Sequence, residues 1–127
     1  MQHEQPTIVD ERMVPLESSD GFGRLEWRTL FSADRTPTTG LTVGVVDIPT
    51  STSRAPRHRH DPAEVYYVLG GRGYVDIEGA VNAVTVGHAI FIPGGAWHCA
   101  WSDHDDGLRL LYAFPVDSFA EVVYEFE

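Results

Sequence analysis

Two short stretches of the chain carry three histidines and one glutamate at spacings that suit a metal site, and these residue types bind divalent metals. The first stretch, HRHDPAEVYYVLGG, contains His58, His60 and Glu64, and the second, GHAIFIPGGAWH, ends at His98. Alternate residues of a strand face the same side, so His58 and His60 are expected to project together, with Glu64 following from the next extended segment. The pattern predicts one divalent-metal site with these four ligands. Imidazoles plus one carboxylate suit Fe, Mn, Ni, Co or Zn, and the order of affinities does not choose among them.

Tyr66 is the candidate catalytic base, because it lies two positions after Glu64 and would share its side of a strand. A free tyrosine has a pKa of about 10, too high for a base at neutral pH, and a nearby cation lowers that value. A metal that binds a substrate carboxylate or carbonyl would stabilise the charge left when an α-proton departs, and β-elimination can follow. The alternative is that Tyr66 is a wall aromatic whose hydroxyl is bonded elsewhere.

The elements that must position these residues are short apolar segments between turn signals, a pattern typical of a β-sandwich or barrel. Strands are expected at residues 24–31, 41–48, 64–69, 74–78, 83–86, 89–92, 97–101 and 108–114. The sequence GGRG at 70–73 predicts a hairpin turn, and 102–107 another turn. Residues 117–124 have the only plausible helical periodicity. We expect an N-terminal arm at 1–22 and one barrel domain at 23–127, with a short C-terminal tail.

Strand alternation assigns the neighbours of these residues to two faces. Tyr112 is predicted to line the pocket, and Cys99 to be a small buried hydrophobe that faces away from the metal. Val65, Tyr67 and Leu69 would face the opposite surface from Glu64. Several strands are apolar on both faces, whereas the strands of an antiparallel sheet with one face in water should alternate between apolar and polar residues. A second copy of the chain is the expected cover, so the sequence predicts a homodimer.

Composition excludes several classes of function. The 127 residues suit one core, and the net charge of −10 without a basic patch disfavours nucleic acid as a partner. All nine basic residues other than histidine are arginines, so a lysine Schiff base is excluded. No apolar run approaches the roughly 20 residues that span a bilayer. The single cysteine and the absence of a signal-peptide pattern predict a cytoplasmic protein.

The two stretches resemble the paired signature motifs of the cupin superfamily. His58, His60, Glu64 and Gly71 have the spacing of the first motif, although Thr52 replaces its leading glycine. The second motif is matched at four positions. It departs at a fifth, where Ser102 replaces the asparagine of the family. Those matching positions are Gly87, Pro93, Gly95 and His98. The resemblance implies an all-β jelly-roll barrel of the small RmlC-like type, with the metal held by the three histidines and Glu64.

A looser resemblance, over most of the chain, is to the cupin dimethylsulfoniopropionate lyases. It is carried by WRTLFSADRTPTTGLTVGVVDI, PAEVYYV and FPVDSFAEVVYEF. Those enzymes cleave a β-sulfonium carboxylate to acrylate and dimethyl sulfide. Their catalytic tyrosine lies two positions after the glutamate ligand, which is Tyr66 here, and a C-terminal tyrosine near their pocket corresponds to Tyr124. The resemblance implies a lyase with Tyr66 and Tyr124 as catalytic residues.

Three other functions remain open at this stage, because a fold does not fix a function. One is a metal-dependent cyclase or isomerase of secondary metabolism, which would act on a larger carbonyl substrate. The second is an Fe(II) dioxygenase that uses two open metal positions for O₂. The third is a non-catalytic cupin that binds a small molecule. Arg28 and Arg109 are candidates for orienting a substrate, and the sequence assigns neither of them to a face.

Overall fold

The computed structural model of the protein describes residues 4–23 and 25–127, and its regular structure is almost entirely β-strand. In chain order the strands are β1 Glu26–Phe31, β2 Thr42–Ile48, β3 His58–Arg59, β4 Glu64–Ile77, β5 Ala80–Thr85, β6 Ala89–Ile92, β7 His98–Trp101, β8 Leu108–Phe114 and β9 Glu125–Phe126. Short 3₁₀ helices cover Glu11–Met13, Asp20–Phe22 and Phe119–Glu121. The predicted strand at 24–31 begins at Glu26 in the structure, and Arg24 lies outside the described residues.

The strands form two antiparallel sheets that share β4. The N-terminal half of β4 pairs with β6 and β8 in the first sheet, which continues through β2 to β1. Its C-terminal half pairs with β5 and β7 in the second sheet, which continues through β3 to β9. The predicted all-β jelly-roll barrel is confirmed. The fully buried apolar side chains of its core include Val68, Val75, Ile92, Leu108, Leu110 and Phe114.

The predicted hairpin turn at 70–73 is wrong, because β4 runs through these residues without a break. The glycines instead accompany a register shift between Val68 and Gly70, and the pairing of β4 with β8 ends after Gly71. The hairpin turn lies at Glu78 and Gly79, whose φ angles are 52° and 90°. The Asp76 carboxylate accepts a hydrogen bond from the Gly79 amide at 2.8 Å and closes this turn. The predicted turn at 102–107 does separate β7 from β8.

The C-terminal tail and two short strands also differ from expectation. Residues 117–124 contain one 3₁₀ turn, Phe119–Glu121, rather than a longer helix. Strands β3 and β9 were not predicted, since each is only two residues long. Strand β3 pairs with β7 and β9, and β9 pairs with β3. Strand β3 carries His58, and the two strands close the second sheet beside the metal ligands.

The described part of the N-terminal arm, residues 4–22, packs against the barrel. Glu17 forms an antiparallel bridge to Trp27 of β1, with both backbone hydrogen bonds present. The Glu11 carboxylate pairs with Arg109 on the outer face of β8. Phe22 packs partly buried against the core. The boundary between an arm at 1–22 and a domain at 23–127 stays a prediction.

The outer face of the first sheet is apolar in part, as the sequence predicts. Val65, Tyr67 and Leu69 of β4 are 39%, 44% and 41% exposed, and Phe91 of β6 is 64% exposed. Glu64, Tyr66 and Val68 of the same strand are buried on the inner face. No helix among residues 4–23 and 25–127 is long and apolar enough to cross a membrane.

Candidate metal centre and cavity

The four predicted metal ligands converge inside the barrel from three strands and one loop. His58 of β3 pairs directly with His98 of β7, His60 follows β3, and Glu64 begins β4. Ligand atoms of the three histidines all lie within 4.8 Å of one another. The Glu64 Oε1 atom lies 3.1 Å from Nε2 of His60 and 3.3 Å from Nε2 of His98. Three buried imidazoles therefore meet at one point, and one buried carboxylate lies against two of them.

Backbone carbonyls orient two of the imidazoles. Nδ1 of His60 is 2.9 Å from the Pro62 carbonyl, and Nδ1 of His98 is 2.8 Å from the Ala96 carbonyl. A carbonyl oxygen only accepts, so each Nδ1 must carry the proton and donate it. Nε2 of His60 lies 3.1 Å from the Glu64 carboxylate, to which it donates when the ring is protonated; in the neutral ring, Nε2 offers its lone pair to a metal at this position. This arrangement fixes the tautomer that a metal-binding histidine needs.

The donor set fits a divalent cation on two further grounds. The Nε2 atom of His98 is buried and makes no aligned hydrogen bond among the described residues, although Glu64 lies nearby. An unsatisfied buried polar atom costs about 1–3 kcal/mol, and coordination removes that cost. Burial, together with the neighbouring His98 and His60, lowers the pKa of His58 to about 3. His58 is therefore neutral at physiological pH and keeps a lone pair for a metal.

A small and mostly apolar cavity opens beside the candidate metal centre, and two of the four candidate ligands, His58 and Glu64, line it. Its volume is about 70 Å³, and a single water needs about 10–15 Å³ of such space. The cavity accordingly holds a handful of waters or one compact organic molecule. The side chains that line it beyond His58 and Glu64 include Phe22, Trp27, Val46, Ile48, Tyr66, Cys99, Leu110, Tyr112, Phe119 and Tyr124.

Tyr66 lies in the wall of this cavity, on the inner face of β4. Its ring centroid is 6.3 Å from that of His98, and Tyr112 is its paired neighbour on β8. Burial, and next the charge of Glu64, raise the pKa of Tyr66 well above the ordinary tyrosine value. The protein surroundings alone therefore keep this hydroxyl protonated. The lowered pKa expected from the sequence depends on a bound cation.

The other two predicted tyrosines also line the cavity. The Tyr124 ring lies 5.2 Å from the rings of both His58 and His60. Tyr112 extends its hydroxyl over Gly44, where any side chain would collide with the phenol. Burial raises the pKa of Tyr112, and the Thr29 hydroxyl beside it opposes that rise. Tyr112 thus presents its ring to the cavity, while its hydroxyl reaches toward β1.

Cys99, Arg28 and Arg109 have no direct part in the metal centre. Cys99 is 1% exposed and forms part of the cavity wall, and burial raises the pKa of its thiol to about 11. Arg28 donates to the Val14 carbonyl at 3.1 Å. Arg109 pairs with Glu11 and with Asp47. Neither arginine lines the cavity, so neither orients a substrate there.

Sequence reasoning missed Phe22 and Phe119 as cavity residues. Phe22 belongs to the polar arm, and Phe119 belongs to a tail without strand alternation. The Phe22 ring lies 5.7 Å from the His58 ring and 4.9 Å from the Tyr124 ring. The only local signal was an aromatic residue in each otherwise polar segment, since the contacts join parts of the chain that are distant in sequence.

Comparison with known proteins agrees with this architecture. The chain is 32% identical over 123 residues to dimethylsulfoniopropionate lyase DddW of Ruegeria pomeroyi, a match that covers 95% of this chain and 80% of that protein. An RmlC-like cupin from Shewanella frigidimarina superposes with a TM-score of 0.70 at 22% identity, covering 91% of this chain and 96% of the other. The polyketide cyclase RemF of Streptomyces resistomycificus gives 0.75 at 21%, covering 91% and 82%.

A third structural relative comes from a study of the DMSP lyases RdDddP and RnDddQII. It superposes with a TM-score of 0.74 at 21% identity, covering 90% of this chain and 62% of the other. Identities this low show a shared fold and no more. The cupin domain family itself matches residues 44–114, a segment that contains all four ligands of the candidate metal centre. The chain therefore belongs to the cupin family.

Proposed function

We propose that this protein is a metal-dependent lyase that removes an α-proton from a compact carboxylate or carbonyl substrate and expels a β-leaving group. Dimethylsulfoniopropionate is the specific substrate we propose. One observation carries the proposal: His58 and Glu64 of the four-residue ligand cluster line a cavity of about 70 Å³ together with Tyr66. The 32% identity to a dimethylsulfoniopropionate lyase over most of the chain supports it.

In this proposal His58, His60, Glu64 and His98 hold a divalent transition-metal ion, which polarises a substrate oxygen and lowers the pKa of nearby acids. The phenolate oxygen of Tyr66 takes the α-proton. The electrons of the broken C–H bond form the new C=C bond as the C–S bond breaks. Sulfur leaves with the electron pair of that bond, so dimethyl sulfide departs neutral and acrylate keeps the carboxylate.

The aromatic wall of the cavity suits a sulfonium cation. Phe22, Trp27 and Phe119 surround the space with ring faces and edges, and ring centroids of Phe22 and Trp27 lie 5.5 Å apart. Aromatic faces attract a cation by about 0.5–2 kcal/mol, and more strongly where water is excluded. Tyr124 lies between this wall and the imidazoles, where its ring and hydroxyl would position the substrate chain.

The size of the cavity favours the lyase proposal over a cyclase. A cyclase acting on a larger carbonyl substrate needs more space than 70 Å³ allows. The dioxygenase and the non-catalytic binder remain alternatives that experiments separate. Oxygen consumption with Fe(II) favours the dioxygenase, and ligand binding without turnover under any metal favours the binder.

The test is release of dimethyl sulfide from dimethylsulfoniopropionate by metal-loaded protein, with and without a chelator. Tyr66→Phe should lower turnover by about 10²–10⁴-fold, the range for loss of a general base, while metal binding is unchanged. Tyr67→Phe is the matched control, because Tyr67 is the next residue of the same strand and faces outward.

Full turnover by Tyr66→Phe would disprove the assignment of the base. Absence of dimethyl sulfide with Fe, Mn, Ni, Co and Zn alike would disprove the substrate. Activity that persists after complete metal removal would disprove the role of the metal, because the four-ligand centre would then have no part in the reaction.

A further inference from the structure

The C-terminal tail, defined here as residues 118–127, forms a wall between two spaces. Its Phe119 and Tyr124 line the cavity beside the metal centre. Glu121, Val123 and Glu125 line a cleft of about 370 Å³ on the other side. The barrel side of this cleft is formed by Arg59, His60, Asp61, Pro62 and Gly95. The tail therefore separates the cavity from a polar cleft that reaches the candidate ligand His60.

Backbone pairing holds the end of this wall against β3. Phe126 pairs with His58, and Glu125 pairs with Arg59. The Glu127 amide donates a hydrogen bond to the Arg57 carbonyl at 3.0 Å. The tail is thus attached to the two-residue strand that carries a candidate metal ligand.

Two ion pairs flank His58 at this attachment. Glu125 accepts two hydrogen bonds from the Arg59 guanidinium, at 2.8 and 3.1 Å. Glu127 accepts two from Arg57. The Arg59 guanidinium also lies over the Trp97 ring, 4.5 Å from its centroid. Arg59 is therefore held against the barrel by Trp97 as well as by Glu125. Glu125 belongs to the tail, so it is the member of this ion pair that moves when the tail detaches.

Aromatic contacts hold the tail from the arm side. The Phe22 ring lies 4.9 Å from Tyr124 and 5.3 Å from Phe126. The same ring is 5.7 Å from His58. Residues of the arm and the tail thus meet above a candidate ligand and cover it.

The attachment is weak compared with the barrel. Val122 anchors the tail in the core, whereas beyond it strand β9 has two residues, both ion pairs are partly exposed, and Val123 is 78% exposed. Exposed ion pairs contribute little to stability, because water and salt screen them. Segments with few buried contacts open locally without global unfolding. The part of the tail after Val122 can therefore detach, with loss of β9, while strands β1 to β8 keep their pairing.

We propose that the tail is a gate, and that Arg57 and Arg59 are positioning residues that latch it shut through Glu127 and Glu125. Opening of the gate joins the cleft to the cavity and gives a small substrate or a metal ion its path to the centre. Closing returns Tyr124 to its place beside His58 and His60. The role in metal exchange depends on the metal centre of the proposed function, whereas access to the cavity does not.

The experiment uses the Arg59–Glu125 pair, since Arg57 and Glu127 act directly on the charge state of Cys99. Cys99 is the single cysteine and lines the cavity, so its labelling by iodoacetamide in metal-free protein measures access. Glu125→Arg should speed labelling about fivefold, the factor expected for losing one surface pair. The exchanged double variant Arg59→Glu/Glu125→Arg should restore the wild-type rate. Asp10→Arg, which breaks the exposed Asp10–Arg12 pair, is the matched control and should change nothing.

The second readout is the release of Co²⁺ to EDTA, followed by absorption, which should accelerate with labelling in Glu125→Arg. Unchanged labelling in Glu125→Arg, equal acceleration in Asp10→Arg, or failure of the exchanged pair to restore the rate overturns the gate. Faster labelling with unchanged Co²⁺ release overturns its role in metal exchange. A wild-type protein that binds no Co²⁺ contradicts the proposed metal centre, and labelling then decides the gate alone.

Discussion

Single backbone carbonyls determine which ring nitrogen of His60 and of His98 is available to a metal. The Pro62 and Ala96 carbonyls accept hydrogen bonds from Nδ1 of His60 and His98, which leaves both Nε2 atoms directed at the Glu64 carboxylate. The spacing of histidines in the sequence predicts that they meet, and the structure brings them together. The choice of ring nitrogen depends on carbonyl positions that only the folded loops define, so the sequence could not show it.

Cys99 carries a prediction about alkaline pH. Burial, and next the charge of Asp76, raise the pKa of its thiol from 9.0 to about 11. Between these values the folded protein keeps a proton that the unfolded chain has lost, so stability falls as pH rises through the window. The free energy of unfolding should drop by about 1–2 kcal/mol more in wild type than in Cys99→Ala between pH 9 and 11.

Urea titrations at pH 8, 9, 10 and 11 measure this difference. The buried tyrosines Tyr66 and Tyr112 also have raised pKa values, and they are present in both proteins. Subtracting the two curves therefore isolates the thiol. Parallel curves for wild type and Cys99→Ala would show that Cys99 ionises normally in the folded state.

At the scale of elements, local patterning predicted the strands whose two faces differ. The expected strands at 89–92 and 108–114 match β6 and β8, and β8 alternates between buried and less buried residues throughout its length. The glycines at 70–73 were misassigned because their role depends on β8, which lies far away in sequence. Strands β3 and β9 gave no local signal, since two residues cannot form a periodic pattern.

Gly71 provides a test of the close approach between β4 and the turn before β8. Its φ is 70°, and an added Cβ would collide with the Gly107 carbonyl oxygen. Gly71→Ala should lower the free energy of unfolding by more than about 2 kcal/mol, because strain and overlap add. Gly40→Ala is the matched control, since Gly40 has a φ of 82° and nothing within 4 Å of an added Cβ.

Thermal and urea unfolding of the two variants give the comparison. In the control Gly40→Ala, the free energy of unfolding should fall only by the strain of a left-handed backbone, about 1 kcal/mol. Equal losses in the two variants would mean that the contact between Gly71 and Gly107 adds nothing. The close approach of β4 to Gly107 would then not require a glycine at position 71.

At the scale of the whole molecule, the exposed apolar face of the first sheet supports the predicted homodimer, which we retain as a proposal. Val65, Tyr67, Leu69 and Phe91 leave large side chains in water on this face. Light scattering at micromolar concentration should give twice the 14.1 kDa mass of the chain. Tyr67→Glu should shift the protein to monomer by placing a charge in the interface. A monomeric wild type would rule out the dimer.

One strand belongs to both sheets, and this has a consequence for how the protein melts. The segment from Glu64 to Ile77 is a central strand of both sheets. Unfolding of either sheet therefore removes a hydrogen-bonded partner from the strands of the other. Heat should therefore disrupt the barrel in one all-or-none step, with calorimetric and van't Hoff enthalpies in agreement. Early fraying would be confined to the arm and the last residues of the chain.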